Sequence, residues 1–314
     1  VNFKFYPLRF EFTAAEPVFF PPGKAANTLR GALGTIFRAI ACTPACRAAG
    51  SSRTCEDRSG CPYARVFEPV AIAPGPSGLG DPPRPFAFRA RHLDGRHISS
   101  GETFSFGLNL FSLEPEALTC FVSAFAALAR EGVGPDRRKA VLQAVRRLAA
   151  GESPEQTLYA GPGLGLASRV EPVTLSLDPL PAAPPRIQVR FLSPTELKHD
   201  HRIAETPEFP VLFGRIRDRI GTLRSLYGEG PLEMDYQASG VRAATVRMTH
   251  CQTRREEVKR RSSRTGQVHS LGGFTGTADY EGDLREFIPW LLAARYTGVG
   301  RQAVWGKGEI SIDY

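Results

Sequence analysis

Near the C-terminus the chain reads Tyr296-Thr-Gly-Val-Gly-Arg-Gln-Ala-Val-Trp-Gly-Lys-Gly-Glu-Ile310. Four glycines, two cations and one indole fall between Gly298 and Gly308. Glycine lets a backbone reach positive φ and approach a ligand closely, and successive N–H groups in such turns form an anion-binding concavity. Gly298, Gly300, Gly306 and Gly308, with Arg301 and Lys307 for charge, therefore suit a phosphate backbone. Two familiar phosphate loops fail here. A P-loop places four residues between Gly and Gly-Lys and continues with Ser or Thr, whereas five separate Gly300 from Gly306 and Gly308 follows Lys307. A dinucleotide fingerprint sits between a strand and a helix. Here the spacing of Leu284, Phe287, Ile288, Leu291 and Leu292 predicts a helix before the loop, and Glu309 to Asp313 predicts a strand after it.

That order of helix, glycine loop and last strand, with its Gly-x-Gly, five residues, Gly-x-Gly spacing, resembles the C-terminal loop of the repeat-RNA processing endoribonucleases of CRISPR systems, members of the RAMP superfamily. Taken alone, the loop also reads as an ordinary glycine-rich turn feeding an edge strand. Further stretches carry the resemblance. Thr28-Leu-Arg-Gly-Ala-Leu-Gly34 is similar to the family's first helix, and Cys61-Pro-Tyr-Ala-Arg-Val-Phe-Glu-Pro69 to the segment downstream of it. Leu271-Gly-Gly-Phe-Thr-Gly-Thr277 and Tyr280-Glu-Gly-Asp-Leu284 resemble its penultimate strand and the turn into its last helix. The likeness thus covers most of the chain.

Composition bounds the reading from the other side. A chain of 314 residues with 42% apolar content suits two domains with real cores. A formal charge of +8 favours polyanionic partners and says nothing of fold. Arginine carries most of that charge, and its planar fork matches phosphate oxygens and stacks on bases. No charged-then-apolar leader precedes residue 20, and no apolar run reaches the roughly 18 residues that span a bilayer, so a cytoplasmic protein without membrane contact is expected. Without a secretory signal, disulfides among the six cysteines are not expected.

Taken in order, Asn2 to Thr13 alternates aromatic and polar residues as a strand with a break near Pro7. Asn27 or Thr28 is placed to cap a helix to about Ala41, with Leu29, Leu33, Ile36, Phe37 and Ile40 on its apolar side. Arg30 and Arg38 lie about 80° apart around that helix and can border one cleft, or else lie on a solvated face. Residues 73–85 read as a loop; strands follow at Pro85 to Arg91 and Glu102 to Phe111. Helices are predicted at Pro115 to Arg130 and Pro135 to Ala150, and a strand at Ala167 to Leu177. Four prolines between Asp178 and Pro185 mark a stiff spacer. Beyond it the plan repeats: strand Ile187 to Leu192, helix Phe209 to Tyr227, strands Gly240 to Cys251 and Val268 to Tyr280, helix Asp283 to Ala294, loop, strand. The expected class is α+β, with two tandem ferredoxin-like (RRM-like) domains over 1–178 and 186–314, a cysteine-bearing insertion in the first and the glycine-rich loop closing the second.

Two local clusters bear on chemistry. Gln252 to Arg264 contains Arg254, Arg255, Lys259, Arg260, Arg261 and Arg264 against two glutamates. It reads either as a solvated connection with internal ion pairs or as a nucleic-acid contact, and the charge imbalance favours the second. Cys42, Cys46, Cys55 and Cys61 bring four thiols into one loop region. Their spacing fits either a closed, structural zinc site or reduced cysteines, and a four-thiolate site leaves no open position for catalysis.

The resemblance implies metal-independent cleavage of precursor RNA at the 3′ base of a CRISPR repeat hairpin. In that reaction the ribose 2′-OH attacks the adjacent phosphate, leaving a 2′,3′-cyclic phosphate. The mature RNA is then retained for CRISPR effector proteins. A non-cleaving RNA-binding subunit of an effector complex is the alternative. The usual histidine base has no counterpart in the first helix or beside the loop, where relatives carry His-Val-Gly-Lys and this chain has Gly298-Val-Gly-Arg301. Arg30 and Arg38 are therefore expected to clamp the phosphate, with Arg242 or Arg301 completing the set, His250 as the candidate base and Tyr63 and Tyr296 as proton carriers.

Overall fold

The computed structural model describes residues 1–48, 55–70, 82–150, 153–163, 165–199, 202–261 and 268–314. Cα proximity divides the chain into two compact units, one made of Phe5–Val173 and the other of Thr174–Tyr314 together with Val1–Lys4. Among the described residues no helix is long and apolar enough to cross a membrane.

Through the first unit run β1 (Asn2–Ala14), β2 (Val18–Phe19), α1 (Ala25–Ala41), α2 (Pro44–Ala48), α3 (Pro62–Phe67), β3 (Phe86–Arg89), β4 (His97–Ile98), β5 (Thr103–Leu110), α4 (Pro115–Glu131), β6 (Ala140–Arg147) and β7 (Gln156–Tyr159). The main sheet has the antiparallel path β3-β5-β1-β6-β7. Set aside the β2–β4 ribbon, the short helices and β7. What remains is strand-helix-strand-strand-helix-strand, with the second strand outside the third: the split βαβ plan. The phenylalanines that alternate along β1 build the core. Phe10 lies 5.5 Å from Phe106 of β5 and 4.5 Å from Phe125 of α4, while Phe37 of α1 meets Phe121 at 4.9 Å. Full burial of each such ring contributes about 3 kcal/mol. The break expected at Pro7 is a change of parity inside one continuous strand, since Pro7 and Leu8 are both buried before alternation resumes at Phe10.

After β8 (Val173–Ser176), the second unit comprises β9 (Arg186–Thr195), β10 (Lys198–His199), β11 (Arg202–Ile203), α5 (Phe209–Tyr227), α6 (Tyr236–Ala243), β12 (Arg247–Glu256), β13 (Lys259–Arg261), β14 (Val268–Ser270), β15 (Gly273–Glu281), α7 (Ile288–Thr297) and β16 (Ile310–Asp313). Its antiparallel sheet runs β12-β15-β9-β16, the same relative order as the first unit's β3-β5-β1-β6. The fold is thus α+β. Phe209, Phe213, Phe287 and Tyr280 interlock at centroid distances of 4.7 to 5.2 Å, and the buried Tyr280 hydroxyl donates to Pro207 O at 2.6 Å.

Several expected elements differ. Residues 140–147 form β6 and not a helix: Ala140, Leu142 and Ala144 alternate inward, and pairing with β1 and β7 overrides the helical preference of Ala, Leu and Arg. Helix α1 begins at Ala25, ahead of Asn27 and Thr28. Its first amide is capped from a distance, Ala25 N–H donating to Asp94 Oδ1 at 2.9 Å, and Ile40 is exposed. Gly240 to Ala243 is helical because Asp235 caps Ala238 N–H at 2.9 Å and Arg217 donates to Tyr236 O and Ser239 Oγ, pinning α6 against α5. The strand expected at 268–280 is cut at Leu271–Gly272, where a Cβ on Gly272 would sit 2.6 Å from Glu256 O. Residues 73–81 of the expected loop lie outside the described residues.

Candidate functional site

In the second unit the glycine loop is held from below by the end of β9. Helix α7 stops where Gly298 turns to φ +74°, and Gly300, Gln302, Gly306 and Gly308 all take positive φ. Val299 N–H donates to Gly308 O at 2.8 Å, Gly308 N–H to Pro194 O at 3.1 Å, Arg301 N–H to Glu196 O at 3.1 Å, and Glu309 N–H to Ser193 Oγ at 2.9 Å. A Cβ on Gly300 would lie 2.3 Å from Glu196 O, and one on Gly308 would lie 1.9 Å from Val299 O. Packing within the fold therefore demands these two glycines, and the N–H groups of Gly298, Val299, Arg301, Trp305, Gly306 and Gly308 serve the fold instead of an anion. Arg301 is 56% exposed, with Nη1 2.6 Å from Oε1 of Glu196, itself only 6% exposed. Lys307 is 5% exposed, so the loop does not present it at the surface as it presents Arg301.

Strand β12 forms an edge of the sheet and carries the exposed side chains of His250, Arg254 and Arg255. Arg254 is 82% exposed, with a 3.4 Å contact to Glu256. His250 faces Asp279 across a register shift in the β12–β15 pairing. The Asp279 carboxyl is held below the usual range chiefly by the hydrogen bond from Arg186, then by that from Gln188. β13 and β14 continue the basic segment as a paired ribbon that includes the backbone of Lys259, Arg260 and Arg261, while Arg264 lies outside the described residues. Arg242 is engaged: its Nε and Nη2 donate to the two carboxylate oxygens of Glu286 at 2.6 and 2.8 Å.

The first unit holds the other candidates. Arg30 and Arg38 are half-buried on α1, and the Arg38 guanidinium lies over the Tyr63 ring of α3 at 5.8 Å. One turn beyond Arg38 begins the cysteine cluster. Cys42, Cys46 and Cys61 are buried, with their sulfurs within 4.8 Å of one another, and Cys46 also hydrogen-bonds Cys55. Cys42 and Cys61 Sγ are 3.8 Å apart, far beyond a disulfide bond. That separation matches the roughly 3.8 Å tetrahedron edge set by Zn–S bonds of about 2.3 Å. The three buried thiols of Cys42, Cys46 and Cys61 therefore fit a structural zinc, and Cys55, hydrogen-bonded to Cys46, is the candidate fourth ligand. Burial, with hydrogen bonds to Cys55 and Cys42, pushes the Cys46 thiol up to about 12. Zinc binding must then expel protons, so affinity falls as pH falls. Elemental analysis of protein purified without chelator is expected to find one zinc per chain, and Cys42→Ser to lower it. Substoichiometric metal with four freely titrating thiols would contradict the site.

Three neighbours carry no signal in the local sequence. Glu196 follows an unremarkable Ser193-Pro-Thr, and Gln302 reaches Ser270 O with its side-chain amide. Cys120 of α4 has its thiol raised by burial and then by Cys61, which places it by the cluster although 59 residues separate the two in sequence (120 − 61). Only tertiary packing joins such pairs.

Two family profiles match the chain: one described as an N-terminal domain over residues 3–171, and that of the CRISPR-associated endoribonuclease Cas6 over 189–310. No curated protein matches it. Among solved structures, a product complex of Thermus thermophilus Cas6 (TTHB231) superposes with a TM-score of 0.53 at 16% identity, covering 99% of each chain. A product complex of Cas6 (TTHA0078) gives 0.51 at 15%, covering 99% of this chain and 100% of that one. A chain of a partial Cas6-RT-Cas1–Cas2 complex gives 0.52 at 11%, covering 99% of this chain and 46% of that one. At these identities the structures speak to the fold. With both profiles in place, the chain belongs to the family of that N-terminal domain, carries a Cas6 domain in its second half, and as a whole resembles the CRISPR-associated Cas6 endoribonucleases of precursor-RNA processing.

Proposed function

We propose that this chain binds the hairpin of a CRISPR repeat RNA and cuts the precursor at the 3′ base of the stem. The 2′-OH attacks in line, leaving a 2′,3′-cyclic phosphate and a 5′-OH, and the mature RNA is kept for CRISPR effector proteins. The reading takes the chain as two ferredoxin-like domains over 1–178 and 186–314, the first bearing the cysteine insertion. The single observation that carries the reading is the glycine loop built around an exposed, ion-paired Arg301 in the same unit as the arginine-bearing β12 edge. Two of the similar structures are complexes of Cas6 with product.

The scheme needs charge stabilisation at the phosphorane and proton carriers at the two oxygens. Arg30 and Arg38 supply charge on one helix, and Arg301 supplies it from the loop. Arg242 joins them only after leaving Glu286. His250 is the base candidate, and its exposed strand position lets it reach a bound strand. No step passes through a metal.

Single-turnover cleavage of a labelled repeat hairpin tests the scheme. Arg38→Ala is expected to lower the rate about a hundredfold while changing affinity by less than about threefold, as for a contact that acts mainly in the transition state. His250→Ala should do less. Loss of all cleavage in His250→Ala alone would replace the arginine scheme with a histidine base. Because neither Ala25–Ala41 nor Gly298–Gly308 contains a histidine, the second reading is a subunit that grips the hairpin without cutting.

A further inference from the structure

We infer that Glu196 is a positioning residue for RNA binding: its buried carboxylate fixes Arg301 so that the open edge of the guanidinium faces the nucleic-acid phosphate. The inference rests on the RNA-binding reading above. Glu196 follows directly on β9 and holds the loop at three points. Its carbonyl accepts Arg301 N–H at 3.1 Å, its Oε1 accepts Arg301 Nη1 at 2.6 Å, and the missing side chain of Gly300 lets the two backbones meet. The next residue, Gln302, ties the same turn to Ser270 O at the end of β14, the ribbon that pairs with the basic β13. The loop cation is thereby set beside the basic ribbon.

The asymmetry of burial decides how the pair behaves when RNA arrives. Glu196 is 6% exposed and Arg301 56%. If Arg301 left Glu196 for a phosphate, a carboxylate would stay buried without that partner, which is strongly destabilising. A guanidinium, however, carries five N–H donors in a rigid fork. One nitrogen can remain on Glu196 while the exposed edge binds phosphate, so Glu196 orients Arg301 and does not compete for it.

The two possibilities predict opposite signs. Glu196→Gln raises the net charge by one, so long-range attraction alone would tighten RNA binding, and so would release of a competing carboxylate. Positioning predicts weaker binding. The experiment is affinity for a labelled RNA stem-loop across a salt series, with thermal melts of each variant. Arg301→Ala is expected to bind roughly tenfold more weakly, with a salt slope lower by about one unit. Glu196→Gln should bind roughly fivefold more weakly with the same loss of slope. The double variant should match Arg301→Ala, because the two act as one unit. Arg301→Lys keeps the charge but lacks the fork and should behave as Arg301→Ala, which decides the matter should Glu196→Gln fold poorly. Glu196→Gln binding as tightly as wild type, or losses that add in the double variant, would overturn the positioning role. Arg301→Lys binding like wild type would do the same. A wild type that leaves the stem-loop unbound overturns the RNA-binding reading itself, a distinct outcome.

Discussion

Replacing Arg254, Arg255, Arg260 and Arg261 together with alanine is expected to weaken binding of a repeat hairpin by roughly a hundredfold or more near physiological salt, and to lower the salt slope by up to about four units. The segment holds six cations against two carboxylates, so most of its charge has no internal partner of opposite sign. On β12 Arg254 and Arg255 are presented to solvent. Arg254 is 82% exposed and touches Glu256 only at 3.4 Å, a surface contact of little worth. An edge strand bearing arginine is also a guard against edge-to-edge pairing, and that role alone would leave RNA affinity unchanged. The salt series separates the two: an unchanged slope assigns the arginines to solvent and edge protection.

Gly308→Ala should be the most damaging single substitution in the loop, costing about 3 to 4 kcal/mol and roughly 10 °C in Tm. At φ +68° an alanine is strained by about 1 to 2 kcal/mol, and its Cβ would stand 1.9 Å from Val299 O. Relief of that overlap must part the Val299–Gly308 and Gly308–Pro194 hydrogen bonds, each worth about 1 kcal/mol. Gly230, at φ +93° with nothing within 4 Å of its would-be Cβ, is the control. Gly230→Ala should show the backbone strain alone. Equal melting losses in the two variants would mean that the loop accommodates the added methyl group.

Local patterns were the legible part of this chain. Alternating phenylalanines gave β1, the apolar spacing gave α5 to its end residues, and the order helix, glycine loop, strand was read correctly around 298–308. What escaped was fixed by distant partners. Residues 140–147 look helical by composition, and only the neighbours β1 and β7 make them a strand. The start of α1 depends on Asp94, 69 residues away. In the candidate site, the glycines, Arg301 and the cysteines announce themselves by type and spacing, whereas Glu196 is a lone carboxylate until folding places it under Arg301. Likewise, nothing in the sequence tells that Arg242 is already forked onto Glu286 or that Lys307 is buried.

The most direct test of the central claim is single-turnover incubation of two labelled repeat hairpins in EDTA, one all-ribose and one with a single 2′-deoxy nucleotide 5′ to the scissile phosphate. The deoxy substitution removes the attacking oxygen and leaves the phosphate contacts in place, so binding and chemistry are read separately. Both RNAs should bind with the same affinity. The all-ribose hairpin should be cut once, at the 3′ base of the stem, to a 2′,3′-cyclic phosphate, and the deoxy hairpin should remain whole. Tight binding of the all-ribose hairpin without cleavage over hours, or cleavage of the deoxy hairpin, would contradict the account.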